Sequence, residues 1–360
     1  MKNNILKSYL IVSLFAVCVT AQSIVPTPPE LNLSSYILMD ATTGKILAES
    51  NSNSQIEPAS MTKVMTGYIV ADQIEQGMIS NDDNVLISRK AWKMEGSRMF
   101  IEVGKRVTVD DLLKGLVIQS GNDAAVVVAE GISGSEEAFA DEMNSFARQL
   151  GMDDTNFTNS TGWPDEMLTT TARDLSLLAA ALIRDFPIDK FPNLYPVFAK
   201  PHHTYNNIKQ PNRNPLIDRS PGADGLKTGS TKESGYGLVG SAERNGQRII
   251  LVLNGLESKK QRSLESNRLM DFMFREYKRY NFFKAGETVK IANVWLGKEP
   301  TVSLVLKEDL ANGKLYISAQ NKFVEGELIV GATSGAEATI STYRANPVQN
   351  IQQLYVFLPS

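Results

Sequence analysis

Residues 236–256, YGLVGSAERNGQRIILVLNGL, contain two apolar strand-forming runs, 236–243 and 248–256, on either side of the dipeptide Asn245-Gly246. Asn-Gly favours the two-residue turn that connects antiparallel strands with the correct twist. A long, polar-faced helical pattern follows at 259–280. The stretch therefore predicts a β-hairpin followed by a helix.

A second hairpin pattern lies near the beginning of the chain, in SYILMDATTGKILAES at 35–50, where two alternating apolar runs flank Thr42-Thr43-Gly44. Between the two hairpins, apolar residues recur at helical spacing in four segments, which are 60–78, 110–131, 136–150 and 172–185. This order predicts an α+β fold, in which the strands at the two ends form one antiparallel sheet around a helical insertion.

The pattern of the chain changes near residue 285. Helical periodicity stops there, and short β-like runs such as TVSLVLKED and KLYISAQ take over. We therefore predict a small β-rich domain over 285–360, after a larger domain over 30–284.

Composition excludes several function classes. The chain has 360 residues, with 37 basic and 40 acidic side chains, so there is no basic excess to neutralise the phosphates of a nucleic acid. Its two histidines, His202 and His203, are adjacent, and Cys18 is its single cysteine, so a zinc site of thiolates and spaced histidines is excluded. Zinc-dependent hydrolysis is therefore not expected.

The adjacent histidines also argue against a Ser-His-Asp triad. The segment KPHHTYN at 200–206 is typical of a loop or an edge strand, where neighbouring side chains point to opposite faces. A nucleophile in this chain is therefore expected to use a base other than histidine.

The first residues have the features of an export signal. Lys2 and Lys7 precede a short apolar run at 9–17, and Val19-Thr20-Ala21 offers a small-residue cleavage site. The run is shorter than the roughly 20 residues of a membrane-spanning helix. We predict a cleaved signal peptide over 1–21 and an exported mature protein.

The segment PASMTKVMT at 58–66 carries the first chemical signal. Ser60 and Lys63 are three residues apart at the start of a predicted helix, so both side chains lie on one face and the amine can reach the hydroxyl. An unprotonated lysine can take the serine proton where histidine is absent. Such a pair is common by chance and is not specific alone.

Two further motifs lie downstream. Ser120-Gly121-Asn122 interrupts an apolar helical pattern, where a loop can project a hydroxyl and a carboxamide into a cleft; an ordinary glycine turn explains the triplet equally well. Lys227-Thr228-Gly229 leads into the hairpin at 236–256, and Gly229 would let a substrate backbone approach the strand edge.

Together, the three motifs resemble the S-x-x-K, S-x-N and K-T-G set of penicillin-binding proteins and class A β-lactamases. Surrounding segments such as IEPASMTKVMT, IQSGNDAAVVVAE and ADGLKTGSTKESGYGLVGSA resemble those of low-molecular-mass D-alanyl-D-alanine carboxypeptidases. The resemblance covers about residues 30–285 and implies a β-lactamase/transpeptidase-like catalytic domain.

This resemblance implies a role for each motif residue. Ser60 is the implied acylated nucleophile and Lys63 its base, while Ser120 relays protons to the leaving group and Asn122 holds the substrate amide. The backbone N–H groups of Ser60 and Ser230 form the implied oxyanion hole.

Further residues correspond to the family's substrate-binding groups. Lys227 and Thr228 bind the terminal carboxylate region of the substrate in the family, next to the close backbone approach at Gly229. Arg262 in KKQRSLES corresponds to an arginine that contacts the carboxylate, and Arg213 in PNRNPL to a second arginine near the cleft. A solvated surface charge is the alternative for both arginines.

The implied reaction removes the last D-alanine from peptidoglycan stem pentapeptides through an acyl-enzyme on Ser60, and β-lactams would acylate the same serine. The resemblance implies that this reaction needs neither a metal nor an organic cofactor. Three alternatives stay open: a D,D-endopeptidase of the same fold, a class A β-lactamase, and an inactive wall-binding protein. For the β-lactamase, Glu166 lies in GWPDEMLTT, which lacks the usual Glu-x-x-x-Asn pattern.

The resemblance also implies a location outside the cytoplasm, in the periplasm, with peripheral attachment to the inner membrane. Family members usually end in an amphipathic helix that makes this attachment. Here the chain ends in TYRANPVQNIQQLYVFLPS, which has only Arg344 as a basic residue and no sustained apolar stripe. Membrane contact is therefore left open.

Overall fold

The computed structural model describes residues 28–277 and the strand segments 281–283, 288–294, 301–306, 310–311, 317–319, 329–330 and 337–338. The predicted signal peptide over 1–21 and the segment 339–360 lie outside these described residues. The chain divides into two compact units: one spans Pro28–Phe282, and the other contains the strands that follow Phe283.

The first unit combines helices with antiparallel strands. Its helices are α1 (Lys63–Glu75), α2 (Arg89–Trp92), α3 (Val109–Val117), α4 (Asn122–Ser133), α5 (Glu136–Gln149), α6 (Ala172–Asp185) and α7 (Lys259–Glu276), with 3₁₀ turns at Ala59–Thr62 and Tyr195–Ala199. Its strands are β1 (Ser35–Asp40), β2 (Ile46–Ser50), β3 (Gln55–Ile56), β4 (Asn84–Leu86), β5 (Arg106–Thr108), β6 (Thr170–Thr171), β7 (His202–Tyr205), β8 (Ile208–Pro211), β9 (Ala223–Thr231), β10 (Gly235–Arg244) and β11 (Gln247–Leu256). A further strand, β12, spans Asn281–Phe283.

The main sheet confirms the predicted pairing of the terminal strands. Its order is β2-β1-β11-β10-β9, so β1 from the beginning of the unit lies beside β11 from its end. All neighbouring strands are antiparallel, with Met39 opposite Ile250 and Val239 opposite Val252. The turn between β10 and β11 is Asn245-Gly246, with φ angles of 52° and 74°, as the Asn-Gly pattern predicts.

Both faces of this sheet are buried. Ile250 and Val252 of β11 pack in the larger core, together with Leu175 and Leu178 of α6. The alternate residues of β11 pack in a second core against α7, and these are Ile249, Leu251 and Leu253. The alternation follows from the two-residue period of a strand, and it places the helical insertion on one face and α7 on the other.

Several helices of the first unit begin with a side-chain cap that the sequence encodes locally. The hydroxyls of Thr108, Ser135, Thr171 and Ser258 each accept a hydrogen bond from a backbone N–H in the first turn of α3, α5, α6 and α7. The helix predicted over 60–78 is shorter than expected: it starts as the 3₁₀ turn, and α1 ends at Glu75. Helix α7, which was predicted to extend to about residue 280, ends at Glu276. Residues 278–280 lie outside the described part of the chain.

The second unit is β-structured, as the sequence predicts. Its strands are β13 (Thr288–Val294), β14 (Thr301–Leu306), β15 (Leu310–Ala311), β16 (Ile317–Ala319), β17 (Ile329–Val330) and β18 (Glu337–Ala338). Five of them form an antiparallel sheet with the order β16-β14-β13-β17-β18. In the part of the chain that the structure describes, no helix has both the length and the apolar character that crossing a bilayer requires.

Because both faces of β11 are buried, we can predict how substitutions there change the free energy of unfolding. Leu251 is fully buried against α7, whereas Leu264 on α7 is 62% exposed. Leu251→Ala should lower the free energy of unfolding by about 2–5 kcal/mol, because it removes buried methyl groups and leaves a cavity. Leu264→Ala should change it by less than about 0.5 kcal/mol. Urea denaturation of both variants checks this, and equal effects would contradict the burial of β11.

Candidate active site

Ser60 lies in the 3₁₀ turn Ala59–Thr62, directly before α1. The turn is held tightly on two sides. Ala59 has a φ of 49°, which is uncommon for a residue other than glycine. A Cβ on Gly162 would lie 1.7 Å from the carbonyl oxygen of Ala59, and a Cβ on Gly229 would lie 2.8 Å from that of Pro58. Both glycines therefore allow backbone to approach the turn more closely than any side chain permits.

The side chain of Lys63 connects Ser60 to the helical insertion. Its Nζ lies 3.2 Å from Ser60 Oγ, and it donates hydrogen bonds to Asn122 Oδ1 at 2.8 Å and to the backbone oxygen of Thr161 at 2.5 Å. The orientation of the Asn122 carboxamide is fixed because its Nδ2 donates to the oxygen of Glu95 at 2.8 Å. The amine of Lys63 therefore has three neighbours, which are two carbonyl oxygens that accept its hydrogen bonds and the hydroxyl of Ser60.

This arrangement suits a neutral amine. A neutral lysine has two N–H donors and one lone pair, so donation to Asn122 and Thr161 leaves the lone pair for the O–H of Ser60. Lys63 is fully buried, and this burial lowers its pKa to about 7, with the positive charge of Arg213 acting in the same direction. The carboxylates of Asp123 and Glu136 partly oppose the shift.

Ser120 lies between the end of α3 at Val117 and the start of α4 at Asn122. Its backbone has a φ of 67°, and its side chain is buried. Within the described residues, Ser120 Oγ has no hydrogen-bond partner. Because buried hydroxyls are normally satisfied, this one is poised to interact with a bound molecule or water.

The middle residue of this motif is a glycine for a steric reason. A Cβ on Gly121 would lie 2.9 Å from Asp123 Oδ1. The Asp123 carboxylate folds back there and accepts hydrogen bonds from the backbone N–H groups of Met99 and Phe100. It therefore fixes the segment 95–101 next to Asn122.

Strand β9 carries the third motif along the free edge of the main sheet. Lys227 and Thr228 are buried, Gly229 packs on the turn that contains Ser60, and Ser230 is exposed. Burial holds the pKa of Lys227 well below its usual value, and the charges of Lys63, Arg213 and Arg262 contribute to the same shift. The edge strand thus brings the third motif next to the first.

Arg262 lies on α7 and reaches the same edge from the other side of the sheet. Its guanidinium is buried, and Nη1 donates to the carbonyl oxygens of Gly229 and Gly237, each at 3.3 Å. Its Nε has no hydrogen-bond partner among the described residues. Burial, together with the charge of Arg213, lowers its pKa to about 10.

Arg213 is exposed, and its Nη1 donates to Ser97 Oγ at 2.5 Å. The positive charge of Arg213 contributes to the lowered pKa of Lys63, Lys227 and Arg262, so these four basic side chains share one electrostatic environment. Across the described ranges, none of the four forms a salt bridge with a carboxylate of the chain. A site with this uncompensated positive charge suits an anionic group such as a carboxylate.

Three other residues weighed from the sequence lie elsewhere. His203 contacts Asp111, with 3.4 Å between Nε2 and Oδ1, while His202 is exposed, in agreement with the expected opposite faces in an extended segment. Glu166 lies in an exposed stretch at 163–167. Neither histidine nor Glu166 is among the hydrogen-bond partners of Lys63.

Sequence reasoning missed two contributions to the site. Thr161 accepts the hydrogen bond from Lys63 with its backbone oxygen, and a residue's identity in the sequence does not indicate such a backbone contact. Asp123 acts by holding backbone N–H groups, and its only sequence signal is an acidic residue in the first turn of an apolar helix. That signal is shared with Glu136 and Asp174, so it does not distinguish Asp123, and the role of Thr161 required coordinates.

Comparison with known proteins agrees with this geometry. The family model described as D-alanyl-D-alanine carboxypeptidase matches residues 22–258. The D-alanyl-D-alanine carboxypeptidase DacA of Haemophilus influenzae is 37% identical over 304 residues, which cover 83% of this chain and 76% of the relative.

Solved structures give the same result. Penicillin-binding protein 5 of Haemophilus influenzae matches with a TM-score of 0.73 and 33% identity, over 84% of this chain and 97% of that chain. Ampicillin-bound penicillin-binding protein D2 of Listeria monocytogenes matches with a TM-score of 0.61 and 29% identity, over 68% of this chain and 99% of that chain. With its fold, its family match and its relatives in agreement, the chain belongs to the D-alanyl-D-alanine carboxypeptidase family of serine peptidases.

Proposed function

We propose that this protein is a serine-type carboxypeptidase that removes the terminal D-alanine from peptidoglycan stem pentapeptides through an acyl-enzyme on Ser60. The observation that carries the proposal is the position of Lys63 Nζ, 3.2 Å from Ser60 Oγ and hydrogen-bonded to Asn122 and Thr161. A buried lysine with a pKa of about 7 is matched to general-base work near neutral pH.

Acylation begins when Lys63 takes the hydroxyl proton of Ser60. The Oγ atom forms a bond to the carbonyl carbon between the two D-alanines, and the backbone N–H groups of Ser60 and Ser230 stabilise the oxyanion. The C–N bond then breaks, and the amine of the leaving D-alanine receives its proton from Lys63 through the Ser120 hydroxyl. Ser120 Oγ is buried and has no hydrogen-bond partner among the described residues, which leaves it available to bond with the substrate.

Deacylation repeats the chemistry with water. Lys63 takes a proton from the water, and the water oxygen bonds to the acyl carbon. The bond between this carbon and Ser60 Oγ breaks, and the serine regains its proton. The shortened stem peptide leaves, and the enzyme returns to its starting state without a metal or an organic cofactor.

Substrate recognition uses the edge strand and the cations around it. An extended stem peptide adds to the free edge of β9, with the close approach at Gly229 leaving room for its backbone. Its terminal carboxylate binds near Lys227, Thr228 and Arg262, while Asn122 holds the penultimate amide. The unpaired positive charge at this edge supports that orientation.

The same site accounts for covalent inhibition by β-lactams, which resemble the D-Ala-D-Ala end of the substrate. The likeness to the ampicillin-bound protein of Listeria monocytogenes supports this extension. The exposed position of Glu166 offers no support for the class A β-lactamase alternative, which needs a glutamate in the site for deacylation.

The proposal also covers the domain organisation of the chain and the location of the protein in the cell. We assign a signal peptide to 1–21, the catalytic domain to 30–284 and a small β-rich domain to 285–360. A substrate in the cell wall requires an enzyme outside the cytoplasm, which is consistent with this signal. Attachment to the membrane surface, by contrast, has no support from the described residues.

The first prediction concerns Ser60. The purified protein should be labelled by a fluorescent penicillin on the peptide that contains Ser60, and it should release D-alanine from a pentapeptide. Ser60→Ala should abolish both, whereas Ser230→Ala, which keeps the backbone N–H, should retain labelling. Mass mapping of the labelled peptide and a D-alanine assay check this. Label elsewhere, or cleavage of crosslinked muropeptides without D-alanine release, would contradict the proposed activity.

The second prediction concerns Arg262. Arg262→Ala should slow D-alanine release by about 10–100-fold, because a charge-assisted contact to the substrate carboxylate contributes about 1.5–3 kcal/mol. β-Lactam acylation should fall less, because the strained ring depends less on alignment of the carboxylate. Lys260→Ala, an exposed position on the same helix, is the control and should retain both rates. Equal losses for Arg262→Ala in both assays would remove Arg262 from carboxylate binding.

A further inference from the structure

The loop 159–163, with the sequence NSTGW, supplies one of the three partners of Lys63. Thr161 contributes only its backbone oxygen, which accepts the hydrogen bond from Lys63 Nζ at 2.5 Å. The direction of a backbone carbonyl is set by the orientation of its peptide plane. The orientation of the peptide bond between Thr161 and Gly162 therefore decides where one N–H of Lys63 points.

The side chain of Asn159 organises this loop. Its Oδ1 accepts hydrogen bonds from the N–H groups of Thr161 at 3.2 Å, Gly162 at 2.8 Å and Trp163 at 3.1 Å, and from the hydroxyl of Thr161 at 2.8 Å. Its Nδ2 donates to the oxygen of Trp163 at 3.0 Å and to Thr158 Oγ1 at 3.2 Å. One carboxamide thus ties together the whole turn.

The hydrogen bond from the Gly162 N–H to Asn159 Oδ1 determines the direction of the Thr161 carbonyl. The Gly162 N–H and the Thr161 C=O belong to the same peptide unit, and in a planar trans peptide these two groups point in opposite directions. When Asn159 Oδ1 holds the N–H on one side, the C=O must point away from it, towards Lys63. Asn159 therefore acts on Lys63 through a single rigid peptide plane.

The rest of the loop is anchored independently of Asn159. Ser160 donates to Glu136 Oε1 from both its N–H and its hydroxyl, at 3.3 and 2.9 Å, and its oxygen accepts from Thr66 Oγ1 at 2.7 Å. Removal of the Asn159 carboxamide should therefore leave the loop attached, while the peptide plane after Thr161 loses the hydrogen bond that orients its N–H.

We propose that Asn159 is a positioning residue for acyl transfer, because it orients the Thr161–Gly162 peptide so that the Thr161 carbonyl aligns the amine of Lys63 with Ser60. This inference rests on the proposed function, in which Lys63 is the base. Asn159 touches no reacting atom and acts only through this peptide.

Asn144 provides a matched control in the same region. Its carboxamide also bridges backbone, since its Nδ2 donates to the oxygen of Phe157 and its Oδ1 accepts from the N–H of Phe157, both at 2.7 Å. It is partly buried like Asn159. It does not contact residues 159–163, so Asn144→Ala loosens the approach to the loop without releasing the peptide plane.

The experiment measures acylation of Ser60 by a fluorescent penicillin in stopped flow, separating the rate constant of acylation from non-covalent affinity. Asn159→Ala should lower the acylation rate constant by at least about 30-fold, within the range for a general base that loses its alignment. Its non-covalent affinity, and both constants of Asn144→Ala, should stay within about three-fold of the parent protein.

The Asn159→Asp variant distinguishes a loss of Lys63 alignment from a general disturbance of the loop 159–163. A carboxylate accepts the same N–H bonds, so this variant should recover at least about ten-fold of the loss above about pH 8, although it gives up the donation to Trp163. Its negative charge favours protonated Lys63, so the acidic limb of the rate profile should move up by about 1 pH unit.

Each other result contradicts the inference. Acylation by Asn159→Ala at the parent rate, equal losses for Asn159→Ala and Asn144→Ala, or a loss confined to non-covalent affinity would show that Asn159 does not align Lys63. If Asn159→Ala does not fold, an acidic limb unchanged in Asn159→Asp overturns the proposal. A parent protein that folds but is not labelled on Ser60 would instead refute the proposed function, and this inference with it.

Discussion

The structure depends on the burial of one lysine. Lys63 is buried at the start of α1, where it forms no salt bridge with any carboxylate that the structure describes, and its amine donates to Asn122 Oδ1 and the Thr161 oxygen and lies 3.2 Å from Ser60 Oγ. A charged amine in such a place would be costly, so the environment favours the neutral form that can accept a proton. The chemistry of the site follows from this constraint, because the same burial that removes the charge makes Lys63 a base near neutral pH.

The remainder of the fold holds those partners in place. Asn122 begins α4, Thr161 lies in the loop after α5, and Ser60 sits in a turn pressed between Gly162 and Gly229. Positive φ angles at Ala59, which precedes Ser60, and at the motif residue Ser120 cost free energy that a well-packed frame has to offset. The two cores on either side of the main sheet supply this frame, and the edge strand β9 brings Lys227 and Thr228 to the same cleft.

The sequence predicts those features that depend on local rules. The Asn245-Gly246 turn and the strand alternation around it follow from short-range chemistry, and the order of the strand and helix segments adds the pairing of distant strands. The 3₁₀ turn at Ala59–Thr62 was missed because tertiary contacts with Gly162 and Gly229 impose it. The Thr161 carbonyl and the role of Asn159 were beyond reach for another reason: backbone atoms carry no residue signature, and the direction of a peptide plane is a property of the folded loop.

The central claim is that Lys63 titrates near neutral pH, so that an appreciable fraction of its amine is unprotonated at pH 7, and the most direct measurement is the titration of that amine. Lysine labelled with ¹³C at Cε gives an NMR signal that reports protonation, and the Lys63→Arg variant assigns the Lys63 resonance by its loss. The account predicts that this resonance titrates with a pKa of about 7 in the folded protein. A midpoint near the ordinary lysine value of about 10.4 would show that Lys63 is protonated at neutral pH and would contradict its role as the base.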